Sequence, residues 1–360
     1  MKRLRALLRA NPLTWLLLAL PATLLAQLLG APPVAIFALA ALGIVPLAAL
    51  IGQATEAVAA HTGPQAGALL TATLGNAAEL IITVAAVRAG LLELVKASIT
   101  GSIIGNLLLV LGFSMVVGGV RHGRQTFNKI NASRNAILLV LAVIALAIPS
   151  LFSASIGAHL PVTVTEAGRS PIEALSLGVA IVMLAFYALG LLDASRASRG
   201  RGAQENPISV ALPRTGTPHL SIRESVALLA LATLGVVWLS ELLVRVADAV
   251  ITSVGISEFF LGIILVPLIG NVAEHLVAVQ FAARNDMDLS TEIAVSSSLQ
   301  IALFVAPLLV FLSLLLGHPL QLIFNQFELL ALMAAVVITI LVSNDGESTW
   351  LEARVCWESI

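Results

Sequence analysis

The sequence predicts an all-α, polytopic membrane protein of about ten transmembrane helices, built as an inverted repeat. Three observations carry this prediction. Hydrophobic residues make up 59% of the 360-residue chain and charged residues only 11%, with a mean hydropathy of +1.01. A soluble domain carries about 25% charged residues. Apolar runs near the roughly 20 residues that a helix needs to cross the hydrocarbon recur along the whole length. One short polar word also occurs twice, at the same depth in two of those runs.

The runs lie at 12–30, 33–52, 65–88, 93–118, 134–151, 172–192, 222–247, 256–282, 290–316 and 322–343. Glycine and proline recur inside them, which membrane helices tolerate. Residues 1–32 join a basic start to a first helix. The run from Leu13 to Leu29 closes without a small-residue cleavage site, so it reads as a retained helix and not as a removed signal. Residues 33–192 form a first repeat of five helices. Residues 193–221 are rich in Arg, Gly, Pro and Ser and read as a flexible linker. Residues 222–343 form a second repeat of four helices, and the tail at 344–360 is too short to span a bilayer.

Lys and Arg set the orientation. Lys2, Arg3, Arg5, Arg9, Arg121, Arg124, Lys129, Arg134, the linker arginines, Arg284 and Arg354 all fall on one side when the N-terminus is cytoplasmic. The other side and the helix ends keep Arg88, Lys96, Arg169 and Arg245. The positive-inside rule therefore puts the N-terminus in the cytoplasm. Short loops and the absence of organelle targeting fit a prokaryotic inner membrane. The net charge of −1 excludes a nucleic-acid footprint. The single cysteine, Cys356, supports neither an intramolecular disulfide nor a thiolate metal site.

The repeated word is Gly75-Asn76-Ala77-Ala78-Glu79 in the third run and Gly270-Asn271-Val272-Ala273-Glu274 in the eighth, an offset of 195. At the same offset Gly67 meets Gly262 and Ser102 meets Ser297. Five crossings separate the two words, so their helices run in opposite directions. In such inverted repeats a binding site forms near the midplane, between the halves.

Glu79 and Glu274 sit mid-run with apolar neighbours on both sides. A carboxylate at that depth costs at least a few kcal/mol, roughly, unless it is paired, protonated or metal-bound. Two at matched positions suggest one shared site. Ca²⁺ takes roughly six to eight oxygen ligands, and two carboxylates neutralise it. Asn76 and Asn271, each one turn before its glutamate, add oxygens, and Thr83 extends the first face. Gly75 and Gly270 allow the helix to loosen. Pro267 frees a carbonyl near Ile263. A second pair of polar segments, Ser98 to Asn106 and Ser296 to Gln300, offers Ser102, Asn106, Ser297 and Gln300. Two readings stand for their hydroxyls and amides: helix packing, or lining of the site. His275, whose counterpart is Leu80, reads as a local hydrogen-bonding group or as a proton relay. Glu56 reads as a guard of the access path or as a solvated group. Glu93, Glu241 and Glu258 lie near helix ends, as interfacial groups do.

Together GNAAELI at 75–81, SITGSIIGNLLLVLG at 98–112, GNVAEH at 270–275 and SSSLQIALFVAP at 296–307 resemble the cation/proton exchanger family, the calcium/proton branch of the calcium/cation antiporters. The resemblance runs from about residue 33 to Glu352. It implies a first helix, two inverted repeats of five helices and alternating access to a central site. It also implies that Glu79 and Glu274 bind Ca²⁺ and protons competitively, with Asn76, Asn271, Ser102, Asn106, Ser297 and Gln300 lining or supporting the site. No resident cofactor is implied; Ca²⁺ and H⁺ are substrates, and the lipid bilayer is a partner. The chain departs from the family in three places. Its linker is basic where the family commonly has an acidic segment. Ser296 stands where the family usually has Gly. The family's eleventh helix has no counterpart after Glu352. The residues alone also admit an exchanger selective for Na⁺ or Mn²⁺, a cation channel, or a non-transporting scaffold. An intramembrane metalloenzyme is disfavoured, because no H-E-x-x-H is present.

Overall fold

The computed structural model describes residues 12–62, 64–157, 171–200, 221–343, 346–348 and 356. A 3-10 segment at Pro12–Leu18 leads into α1 (Ala19–Leu28). The first repeat holds α2 (Pro33–Thr62), α3 (Pro64–Leu74), α4 (Ala77–Arg88), α5 (Leu92–His122), α6 (Lys129–Gly157) and α7 (Pro171–Gly200). The second holds α8 (Ile222–Val254), α9 (Glu258–Ala282), α10 (Met287–Leu315) and α11 (Gln326–Ser343). Among the described residues, eight helices are long and apolar enough to cross a membrane, namely α2 and α5 to α11.

Two elements differ from the sequence expectation in ways that matter for the site. The run at 65–88 is not one helix. It breaks at Gly75 and Asn76, where glycine gives the backbone freedom and Asn76 adopts φ −95° and ψ 22°. The break is locally satisfied, since Gly75 N donates to Thr71 O and Leu80 N to Asn76 O, both at 2.9 Å. In contrast, α2 continues ten residues past its expected end at 52, because alanines at 54, 57, 59 and 60 sustain the helix. Glu56 therefore lies within a helix and not at its end. The helix α7 likewise runs to Gly200, while residues 201–220 of the expected linker lie outside the described residues. So does most of the segment expected as a tail, apart from Gly346 to Ser348 and Cys356.

Three π-helical turns interrupt the long helices, at Gly105–Val110, Leu261–Leu265 and Ile301–Val305. Two of them end two residues before a proline, Pro267 and Pro307. Proline supplies no N–H to the preceding turn, so that turn widens. The first carries Gly105 and Asn106 instead.

The two repeats interlock through α2 and α8. A β-carbon on Gly43 would sit 2.8 Å from Leu239 Cδ1, and one on Gly235 would sit 2.8 Å from Leu47 Cδ1. Each helix thus offers a glycine hole and, one turn on, the leucine that fills its partner's hole. Such close approach through small residues is how membrane helices gain dispersion contact without a hydrophobic effect to drive them. Ile44, Ile51, Ile99, Ile103, Leu299 and Leu303 extend the same core across α2, α5 and α10.

The irregular stretch between α10 and α11 buries Leu320, Leu322 and Phe324, and side chains satisfy part of its backbone. Leu322 N donates to Ser176 Oγ (3.1 Å) and Phe324 N to Ser150 Oγ (2.9 Å). At the opposite end of the bundle, β1 (Gln125–Thr126) pairs antiparallel with β2 (Glu347–Ser348). There Gln125 Nε2 donates to Ala282 O (3.1 Å), tying the end of α5 to the end of α9.

Candidate functional site

The helix break positions the first glutamate. Restarting at Ala77, α4 places Glu79 in its first turn, where the unpaired N–H groups and the helix dipole favour a negative charge. Glu79 is 1% exposed. Ser102 Oγ of α5 donates to its Oε1, and Asn271 Nδ2 of α9 donates to its Oε2 at 3.3 Å. Asn271 Nδ2 also reaches Ser102 Oγ at 3.3 Å. Gly270 makes this approach possible. A β-carbon there would come within 3.3 Å of Glu79 Cβ. The expectation that Gly270 loosens its helix is corrected here: α9 runs unbroken through it from Val266, and the glycine serves close packing. Thr83 is also turned away from the expected role, because its hydroxyl donates to Glu79 O (2.8 Å), a backbone carbonyl.

The amides work across the repeats and not beside their own glutamates. Asn271 serves Glu79, and Asn76 Nδ2 donates to Gln300 Oε1 of α10. A second chain runs alongside. His275 Nε2 donates to Asn106 Oδ1 (2.9 Å), and Asn106 Nδ2 donates to Ser297 Oγ (3.1 Å). Both repeats are thus joined at the midplane by side chains from the two repeated segments. His275 is local to this chain of bonds.

Glu274 is placed differently from Glu79. It is half-buried and lines a cavity of about 60 Å³ between α3 and α10, walled also by Glu56, Thr55, Asn76, Ser296 and Gln300. The space is large enough for an ion with a water or two. Glu274 lies one turn beyond Asn271, whose amide donates to Glu79, and Gly270 of the same helix packs against the Glu79 Cβ. Glu56 lines this cavity too. Glu93, Glu241 and Glu258 stay apart from it, at the helix ends: Glu93 pairs with Lys96 at 2.6 Å, Glu241 with Arg88 at 3.2 Å, and Glu258 accepts from Leu94 N at 3.1 Å.

Five buried oxygens around this centre have no hydrogen-bond partner among the described residues: Thr55 Oγ1, Glu56 Oε1, Asn76 Oδ1, Asn271 Oδ1 and Ser296 Oγ. Leaving such groups unpaired is costly, and native proteins rarely do so without a reason. Here each is an oxygen: Thr55, Glu56, Asn76 and Ser296 line the cavity with Glu274, and Asn271 sits against Glu79. That donor set suits a hard cation and not a thiolate- or imidazole-seeking one. Among the described residues no three His, Cys, Asp or Glu side chains gather into a metal cage. Two carboxylates with neutral oxygens make a site that an ion can leave. Sequence reasoning missed Thr55, whose signal was its place beside Glu56 in a polar stretch at the end of an otherwise apolar helix.

Comparison with known proteins gives the family and the fold. Residues 32–193 and 224–356 match the family described as sodium/calcium exchanger protein. The chain belongs to that family. It is 42% identical over 349 residues to a Ca²⁺/H⁺ antiporter of Aphanothece halophytica, covering 94% of this chain and 91% of that one. It is 40% identical to the Ca²⁺/H⁺ antiporter ChaA of Bacillus subtilis, covering 92% and 91%. The solved structure of native YfkE superposes with a TM-score of 0.80 at 37% identity, covering 96% of both chains. The H⁺/Ca²⁺ exchanger CAX superposes at 0.72, covering 96% of this chain and 85% of that one; at 18% identity this speaks for the fold. These relatives are transporters and not enzymes, and so is this chain by its family.

Proposed function

We propose that the chain is a secondary antiporter exchanging Ca²⁺ for protons by alternating access, with Glu79 and Glu274 binding cation and protons competitively. The observation that supports this reading is the placement of the two symmetry-related glutamates: Glu79 is buried against Ser102 and Asn271, and Glu274, one turn beyond Asn271 on the same helix, lines the cavity walled by Asn76. The relatives named as Ca²⁺/H⁺ antiporters support the choice of ions.

The cycle follows from electrostatics. Two deprotonated glutamates capture a divalent cation, and their charge is cancelled. The neutralised site can be sealed from water and reopened on the other side. Protons then replace the cation, and the neutral protonated site returns. Two bare carboxylates cannot make the same passage, because sealing them leaves uncompensated charge in a medium of low dielectric. That prohibition couples the two fluxes. With the N-terminus in the cytoplasm of a prokaryotic inner membrane, α2 ends on the cytoplasmic side. The cavity walled by Glu56 then opens inward.

The test is Ca²⁺ uptake into everted membrane vesicles under an imposed pH gradient, with and without a protonophore. Uptake that collapses with the gradient is the expected result. Uptake indifferent to the gradient would refute proton coupling, and uptake of Na⁺ or Mn²⁺ in place of Ca²⁺ would reassign the cation.

A further inference from the structure

Ser296 holds a buried hydroxyl that the fold does not use. The residue is 1% exposed, and Oγ has no hydrogen-bond partner among the described residues. Helical serines ordinarily return their hydroxyl to a carbonyl of the preceding turn. Two residues along, Ser298 does so, donating to Ala294 O at 3.0 Å. Ser296 instead lines the cavity that holds Glu274 and Glu56, with Gln300 one turn further on the same wall.

The internal repeat sharpens the point. At the offset of 195, the mate of Ser296 is Gly101. Gly101 is pressed against the α9 backbone, and a β-carbon there would lie 2.0 Å from Ile263 O. The first repeat therefore has no room for a side chain at this position. In the second repeat the equivalent face of α10 looks onto the cavity, and this chain places an oxygen there.

We propose that Ser296 Oγ is an additional ligand for the transported divalent cation, on the second-repeat side of the site. This rests on the reading of Glu79 and Glu274 as the exchange site. A neutral hydroxyl turns its dipole towards a cation and adds to its coordination number, which Ca²⁺ fills with oxygens. It does not take up a proton at working pH. The hydroxyl therefore biases the competition at the glutamates towards the cation.

The test uses the purified full-length protein, titrated with Ca²⁺ by calorimetry, alongside vesicle exchange. S296A removes the oxygen, and S296G reproduces the residue of the first repeat. Both are expected to bind Ca²⁺ about three- to tenfold more weakly. Their KM for Ca²⁺ should rise by the same factor. Affinities within twofold of wild type in both variants, while E274Q binds no Ca²⁺, would overturn the proposal and leave the exchange site standing. Lowered turnover and melting temperature with unchanged affinity would assign Ser296 to packing and also overturn it. A wild-type protein that neither binds nor exchanges Ca²⁺ would refute both readings.

Discussion

The carbonyl oxygen of Ile263 faces Gly101 so closely that a β-carbon on that glycine would lie 2.0 Å away. Ile263 is four residues before Pro267, which lacks the N–H that would otherwise hold this carbonyl inside the helix. A proline on α9 and a glycine on α5 together bring the two repeats into backbone contact beside the site.

This contact predicts a difference between glycines. At Gly101 an added methyl meets backbone, which cannot rotate away. At Gly43 it meets Leu239 Cδ1, the far end of a side chain that can. G101A should destabilise the protein by about 1–3 kcal/mol or more and strongly reduce exchange. G43A should stay near wild type in both. Thermal unfolding in detergent and vesicle uptake would check the pair. Equal tolerance of the two substitutions would mean that the α5–α9 contact is softer than described.

The glutamates predict a complete loss. E79Q and E274Q each keep the shape of the side chain but remove the charge that the cation needs and the proton displaces. Each should abolish Ca²⁺-dependent proton movement in vesicles while the protein still inserts. Normal exchange in both variants would sink the mechanism.

Competition fixes the sign of the pH dependence. A carboxylate ligates Ca²⁺ only when deprotonated, so binding releases protons. Apparent Ca²⁺ affinity should fall as pH is lowered on the cation-loading side, by up to about tenfold per unit for each proton displaced. Calorimetric titrations at several pH values would show it. Affinity independent of pH across the range where protons drive transport would contradict shared sites.

Asn106 joins His275 of α9 to Ser297 of α10. N106A removes both bonds and leaves buried groups unsatisfied, which costs about 1–3 kcal/mol. The variant should melt earlier and transport slowly. H275A breaks only one of the bonds and should lie between N106A and wild type. The order of melting temperatures is the readout, and a milder effect from N106A than from H275A would disprove the chain of bonds.

Much of this protein was legible in its residues. Long apolar runs with few charges dictate membrane helices, because in hydrocarbon only a helix satisfies its backbone within one continuous segment. The duplicated Gly-Asn-x-Ala-Glu word, five crossings apart, marked both the inverted repeat and the glutamates at its centre. Composition and repetition are one-dimensional properties, so the chain alone determines them.

The tertiary structure decided what depends on neighbours far away in sequence. Hydropathy ran one helix through 65–88, and only the fold shows the break at Gly75 that delivers Glu79 to a helix N-terminus. Gly75 and Gly270 are identical in the repeated word, yet one ends a helix and the other lies flat against Glu79 in an unbroken one. Asn76 and Asn271 look like partners of their own glutamates until packing sends each to the opposite repeat. Glu56 and Ser296 gain their meaning from a cavity that forms only when α2, α3 and α10 come together. The physical reason is common to all of them. A helix fixes which residues share a face, but the partner that face meets is set by the packing of the whole bundle.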